Sequence, residues 1–254
     1  MSFNRRKYYT LAAKASKQVG THPGLLYLQE ITGHSSSVLD VGCGEGTRLS
    51  TLLPAGQFGW GVDIDSYAIN LAQKQYPRCH FRVYSGKRLP YKSDIFDLVY
   101  SAFVLEHTRN PGNFLNEMIR VCQPGGHIVI LCPNFGSPNR RSPNSVKNPL
   151  LKLISGLIND FFPNPYLKLE KVNPRPSYDQ IDADTTLEPY LLSLLWFFND
   201  KKVLIESASS LWELEASSLN PRKLLTKILG QMKVYPFKYW GPQIFISVTK
   251  PISD

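Results

Sequence analysis

The chain lacks any run of 18 or more apolar residues, which excludes a conventional membrane-spanning helix. It has little cysteine. Cys43, Cys79, Cys122 and Cys132 fall singly, without a C-x-x-C pair or a histidine at ligand spacing, which argues against a zinc ribbon or a disulfide frame. Reduced thiols and a cytoplasmic setting are therefore expected, with no metal and no membrane partner. No repeat, low-complexity tract or secretory apolar region is present. A concentrated basic stripe is also missing. The net charge of +9 is divided as 14 basic against 9 acidic residues in 1–134 and 15 against 11 in 135–254, with local clusters only at Arg5–Lys7 and Arg140-Arg141. A solvated surface is expected rather than a nucleic-acid face. Acids are absent from the first 29 residues, which hold five Lys or Arg. An organelle transit peptide has this composition, but Tyr8, Leu11, Ala12 and Ala15 lie on one helical face, favouring an amphipathic lid helix.

What is present is more specific. Val38–Val41 is a short run of the kind that forms a buried parallel strand, and it ends in glycines at alternate positions, Gly42, Gly44 and Gly46. Glycines there permit positive φ and let backbone N–H groups approach a ligand at the mouth of a helix expected from about Thr47. A second strand near 58–62 stops at Asp63, where an acid can accept hydrogen bonds from both hydroxyls of a ribose. The pattern reads as a nucleoside-cofactor site. Dinucleotide enzymes use G-x-G-x-x-G around a pyrophosphate; here the spacing is G-x-G-x-G, and Glu45 inside the loop would repel phosphate but not the sulfonium and ammonium of S-adenosylmethionine.

Residues 38–47, 61–65, 96–107 and 124–130 resemble successive motifs of the class I S-adenosylmethionine-dependent methyltransferases, in particular the small-molecule branch. The resemblance implies an α/β, Rossmann-like, doubly wound, seven-stranded and mostly parallel sheet with an inserted substrate-covering cap. It also implies S-adenosylmethionine as cofactor and a small-molecule methyl acceptor as partner, in a monomer or homodimer. Oxygen methylation in a specialised or secondary metabolite pathway is the favoured reaction, with carbon or nitrogen methylation of a small molecule, or tRNA methylation, as alternatives.

The alternation of apolar runs with helical patterns predicts strands near 37–41, 58–62, 80–84, 97–102 and 126–132 and helices near 23–33, 46–53, 66–76 and 112–122. A lid helix and cofactor-binding core would occupy 1–134. A proline- and asparagine-rich cap would follow at 135–185. Residues 186–254 would complete the sheet, with a helix resuming from Leu187, a strand near 202–207, a helix near 221–232 and a last strand at 243–249. A doubly wound sheet gathers its ligand beyond the carboxyl ends of the strands. Asp40, Gly42, Cys43, Gly44, Gly46, Asp63, Ile64, Ser85, Gly86 and Ser101 are therefore the expected cofactor-binding residues. Asp40 either orders the glycine loop or meets the ligand's amino group, and Ser85 stands where the family usually has an aspartate that accepts from adenine. His107 is the candidate general base, with closure of its loop and capping of the next helix as the structural alternative. Asp179, Asp182 and Asp184 form an acidic constellation whose chemistry suits a substrate amine or a divalent metal; it is read as a solvated loop or helix cap, with Asp182 or Asp184 lining the substrate pocket as the alternative and Asp184 the second candidate catalytic residue. Trp196, Phe197 and Phe198 are expected in the core or in a pocket wall.

Overall fold

The computed structural model describes residues 5–17, 19–162, 164, 166–167, 169–175, 184–215 and 220–252. Nine strands and eight α-helices are described: α1 Arg5–Ser16, α2 Pro23–Gly33, β1 Val38–Val41, α3 Thr47–Leu52, β2 Trp60–Asp63, α4 Ser66–Gln75, β3 His80–Val83, β4 Phe96–Ala102, α5 Pro111–Val121, β5 Cys122–Pro133, α6 Pro149–Asn159, β6 Glu170–Lys171, β7 Leu187–Glu188, α7 Leu191–Asp200, β8 Leu204–Ser209, α8 Pro221–Gln231 and β9 Gln243–Thr249. Seven strands make one sheet in the order β3-β2-β1-β4-β5-β9-β8. The β1–β2, β1–β4 and β2–β3 pairs are parallel, and the reversal of strand order at β1 places a switch point beside the glycine loop. The expected mostly parallel α/β sheet is present.

The chain divides into two compact units, one of Met1–Val104, Asn113–Val129 and Thr249–Asp254, the other of Leu105–Gly112 and Ile130–Val248. The core of the first holds Leu28, Leu39, Leu49, Leu98, Tyr100 and Met118, all fully buried. Strand β1 is buried along its whole length because sheet neighbours flank it on both sides. In the second unit Phe197 and Phe198 are core, while Trp196 is partly buried against a cluster of Tyr190, Leu192, Trp212 and Trp240.

Several expectations shift. Strand β5 begins at Cys122 rather than 126: the Gln123-Pro-Gly-Gly segment stays in the ladder because Gly125, at φ +77°, donates to the Lys250 carbonyl and Gly126 accepts from Lys250 N–H. Helix α7 starts at Leu191, because Leu187–Glu188 pairs antiparallel with Glu170–Lys171 instead. Strand β8 runs from Leu204, not 202. Helix α1 forms, but rotated from the expected face. Leu11 and Ala15 are exposed, and Tyr8, Tyr9, Ala12 and Ala13 are the partly covered side.

Candidate functional site

The turn after β1 is built on three glycines with positive φ: Gly42 at +89°, Gly44 at +55° and Gly46 at +82°. A methyl group on Gly42 would lie 2.4 Å from Val104, and one on Gly46 would lie 2.7 Å from the Phe81 ring. At Gly44 the nearest atom would be a Tyr9 ring carbon at 3.7 Å. Two glycines are thus required by packing as well as by φ. Gly44 is the one that keeps an open approach.

The loop's N–H groups are mostly spent internally, contrary to the expectation that they face a ligand. Gly42 and Cys43 both donate to the Val62 carbonyl at 2.8 and 3.0 Å, Gly46 donates to the Cys43 carbonyl, and Thr47 N–H reaches the Glu45 carboxylate at 3.3 Å. Gly44 N–H donates to Asp63 Oδ2 at 2.9 Å, and the other Asp63 oxygen accepts from Asp65 N–H at 2.9 Å. This turn is no phosphate cradle. Its neighbourhood is anionic instead, with Asp40, Glu45, Asp63 and Asp65 close together.

Asp40, at the switch point, is fully buried and pairs in register with Tyr100, whose hydroxyl donates to it at 2.8 Å. Burial pushes its carboxyl up to about 7, against the opposing pull of Arg48 and Tyr100. Desolvation raises Glu45 and Asp63 as well. Asp40 Oδ1 and Glu45 Oε1 are buried without a hydrogen-bond partner among the described residues. Orphaned carboxylate oxygens are costly, and a ligand bringing positive charge or N–H donors offsets that cost. The residues therefore fit a cationic nucleoside and not a pyrophosphate.

Tyr9 of α1 completes this end of the first unit. Its hydroxyl donates to Asp65 Oδ2 at 2.9 Å, Arg5 lies 3.7 Å from the same oxygen, and Asp65 Oδ1 caps α4 through Tyr67 N–H. Ile64 is 66% exposed and lies beside Gly86, which has φ +74°. Ser85 is exposed and accepts from Lys87 N–H at 3.4 Å. Two candidates point elsewhere. The Cys43 thiol is buried, with burial driving its pKa well up, and the Ser101 hydroxyl is spent on the Val41 carbonyl at 2.9 Å. Arg48 was not among the expected site residues; it holds the Ala102 carbonyl at 2.9 Å and stacks on Phe103, which sits at φ +61°.

In the second unit, His107 and Asp184 meet across 77 residues of sequence. His107 Nδ1 lies 3.3 Å from the Asp184 carbonyl oxygen and 3.7 Å from its carboxylate, and His107 Nε2 is 3.8 Å from buried Glu106. Thr186 ties the same strip down by donating to the Glu106 carbonyl from both its N–H and its hydroxyl. Asp179 and Asp182 lie outside the described residues. Among the described residues no cluster of His, Cys, Asp and Glu suits a metal ion, and no helix is long and apolar enough to cross a membrane. His22 caps α2 by accepting from Leu25 N–H at 3.3 Å.

Residues 39–130 match the model of a methyltransferase domain family. A probable S-adenosylmethionine-dependent methyltransferase of Mycolicibacterium smegmatis is 32% identical over 108 residues, covering 42% of each chain. A demethylmenaquinone methyltransferase of Streptomyces griseus is 29% identical over 96 residues, 38% of this chain and 42% of that one. The chain thus spans less than half the length of the curated relatives it matches. A putative methyltransferase from Haloferax volcanii, solved with the Trm112 methyltransferase activator, shares the fold with a TM-score of 0.58, at 15% identity and 98% coverage of both chains. The matched segment carries the glycine turn and Asp63 and is similar to a methyltransferase domain whose relatives include S-adenosylmethionine-dependent enzymes.

Proposed function

We propose that the chain transfers a methyl group from S-adenosylmethionine to a small organic acceptor, with an oxygen atom as the favoured nucleophile. The observation that carries this reading is the pair of buried carboxylate oxygens on Asp40 and Glu45, unpartnered among the described residues, beside a glycine turn whose amides are mostly spent internally. When bound, the cofactor supplies an electrophilic methyl on a positively charged sulfur. Asp63 holds the ribose: each oxygen already accepts one N–H, and a carboxylate has about four acceptor positions, so both keep capacity for a hydroxyl. Asp40 and Glu45 receive the cationic end. Ile64 and Gly86 border the base, and Ser85 offers a hydroxyl in place of the family's aspartate. Tyr9 closes α1 over the turn through Asp65.

His107 takes the acceptor's hydroxyl proton. Asp184 steadies the imidazolium that results, by facing Nδ1 with both a carbonyl and a carboxylate oxygen. The near-equal division of excess positive charge between the two halves of the sequence, +5 in 1–134 and +4 in 135–254, supports a small acceptor over tRNA. The test is a panel of hydroxylated, amine and activated-carbon acceptors incubated with the full chain and cofactor. The expected result is a gain of one methyl on a hydroxylated compound. Methylation confined to tRNA, falling steeply with added salt, overturns the small-molecule reading.

A further inference from the structure

Helix α6 in the second unit is apolar on two sides. Leu153 and Leu157 pack on the Tyr190, Trp212 and Trp240 cluster, while Leu151, Ile154 and Ile158 face outward, 66%, 48% and 55% exposed. A helix apolar all round is ordinarily buried, so the outer face of α6 is built to be covered. Phe161 and Phe162, just past its end, are 70% and 69% exposed and extend the same surface. Helix α8 repeats the pattern. Gly230 seats it against the Trp212 indole, and Leu224, Leu225 and Ile228 remain exposed. The ends of the two helices meet where the Phe161 and Tyr235 rings lie 5.6 Å apart. The carboxylate at this junction, Asp160, is occupied, accepting from Tyr190 at 2.7 Å and Tyr235 at 3.4 Å.

Charge identifies the partner. Residues 216–253 contain no acid and six basic residues, and Arg222, Lys223, Lys227 and Lys233 make no ion pair among the described residues. We propose that this face docks on an anionic phospholipid surface. The two helices, each 11 residues and about 16 Å long, are too short to span a bilayer. They would lie in the interface plane, with leucine, isoleucine and phenylalanine side chains entering the acyl boundary and the α8 cations on headgroups. This departs from the sequence expectation of no membrane partner, which rested on the absence of a span. A second copy of the chain fits less well, because a two-fold interface would set the basic residues of α8 against each other. The inference does not rest on the methyl-transfer reading.

The test is flotation of the full chain with phosphatidylcholine vesicles and with vesicles containing one-third phosphatidylglycerol. Binding is expected only to the anionic vesicles and is expected to fall with salt. The K223A/K227A variant should partition roughly 25-fold more weakly, at about fivefold per basic residue. Ile154→Ser with Ile158→Ser should also abolish binding. If that second variant loses its fold, the lysine variant and the salt titration decide. Three results overturn the proposal: no preference for anionic vesicles, binding indifferent to the lysine variant, or a lipid-free dimer on light scattering that Ile154→Ser with Ile158→Ser dissociates.

Discussion

The Tyr9 hydroxyl donates a 2.9 Å hydrogen bond to Asp65, 56 residues further along the chain, and so fastens the first helix over the glycine turn. The same carboxylate caps α4 and follows Asp63 by two residues, so one short segment carries both the proposed ribose ligand and the latch for the helix above it. Tyr9→Phe keeps the ring packed on Tyr67 but removes a hydrogen bond to a charged acceptor, worth about 1.5–3 kcal/mol. Cofactor affinity should fall, read by calorimetry, and the ligand-free Tm should fall by roughly 3–12 °C.

Gly42→Ala and Gly44→Ala should separate folding from binding. At Gly42 a methyl meets Val104 at 2.4 Å and φ is +89°, so strain plus overpacking of about 2–4 kcal/mol should lower Tm by roughly 5–12 °C. At Gly44 no packed atom is closer than 3.7 Å, and φ of +55° costs about 1–2 kcal/mol. Gly44→Ala should fold yet lose cofactor affinity. Thermal melts with and without cofactor check both.

Asp40 gives a pH signature with two opposite signs. Its folded pKa of about 7 lies above the unfolded value of about 3.9, so the folded protein retains a proton that the unfolded chain gives up between roughly pH 4 and 7. That contribution to stability is present below pH 4 and is lost as pH rises to 7. Cofactor binding should run the other way, strengthening through the same window as the carboxylate ionises for a cation. Asp40→Asn should flatten both profiles in melts and titrations from pH 5 to 8, and it should raise the ligand-free Tm more at pH 8 than at pH 5.

His107→Ala and Asp184→Asn address the proton. His107→Ala should lower kcat by roughly 10²–10⁴-fold on a hydroxyl acceptor and leave cofactor affinity unchanged. Asp184→Asn should cost less, because the backbone carbonyl still faces Nδ1. Unchanged turnover of His107→Ala at saturating acceptor would remove the general base and leave the residue as part of the turn that Thr186 anchors.

The glycine turn was legible because three positive φ values at alternate positions demand glycine, and the parallel sheet was legible because short apolar runs alternate with helical patterns. Tyr9 was missed because one residue on a helix is a 100° rotation, and the choice between neighbouring tyrosines is made by Asp65 across space. Tyr100 had a signal in the Asp40–Tyr100 register, but register is a tertiary fact. The meeting of His107 with Asp184 had no local signal at all, since 77 residues separate them. The internal use of the loop amides was hidden for a similar reason: their acceptor, the Val62 carbonyl, belongs to the next strand.

Calorimetric titration of the full chain with S-adenosylmethionine, alongside NAD as a control, decides whether the anionic glycine turn is a methyl-donor site. The expected result is heat at one molar equivalent with S-adenosylmethionine, sharply reduced in Asp63→Asn, and none with NAD. Saturable binding of NAD, or no heat with S-adenosylmethionine at any pH from 5 to 8, would contradict it.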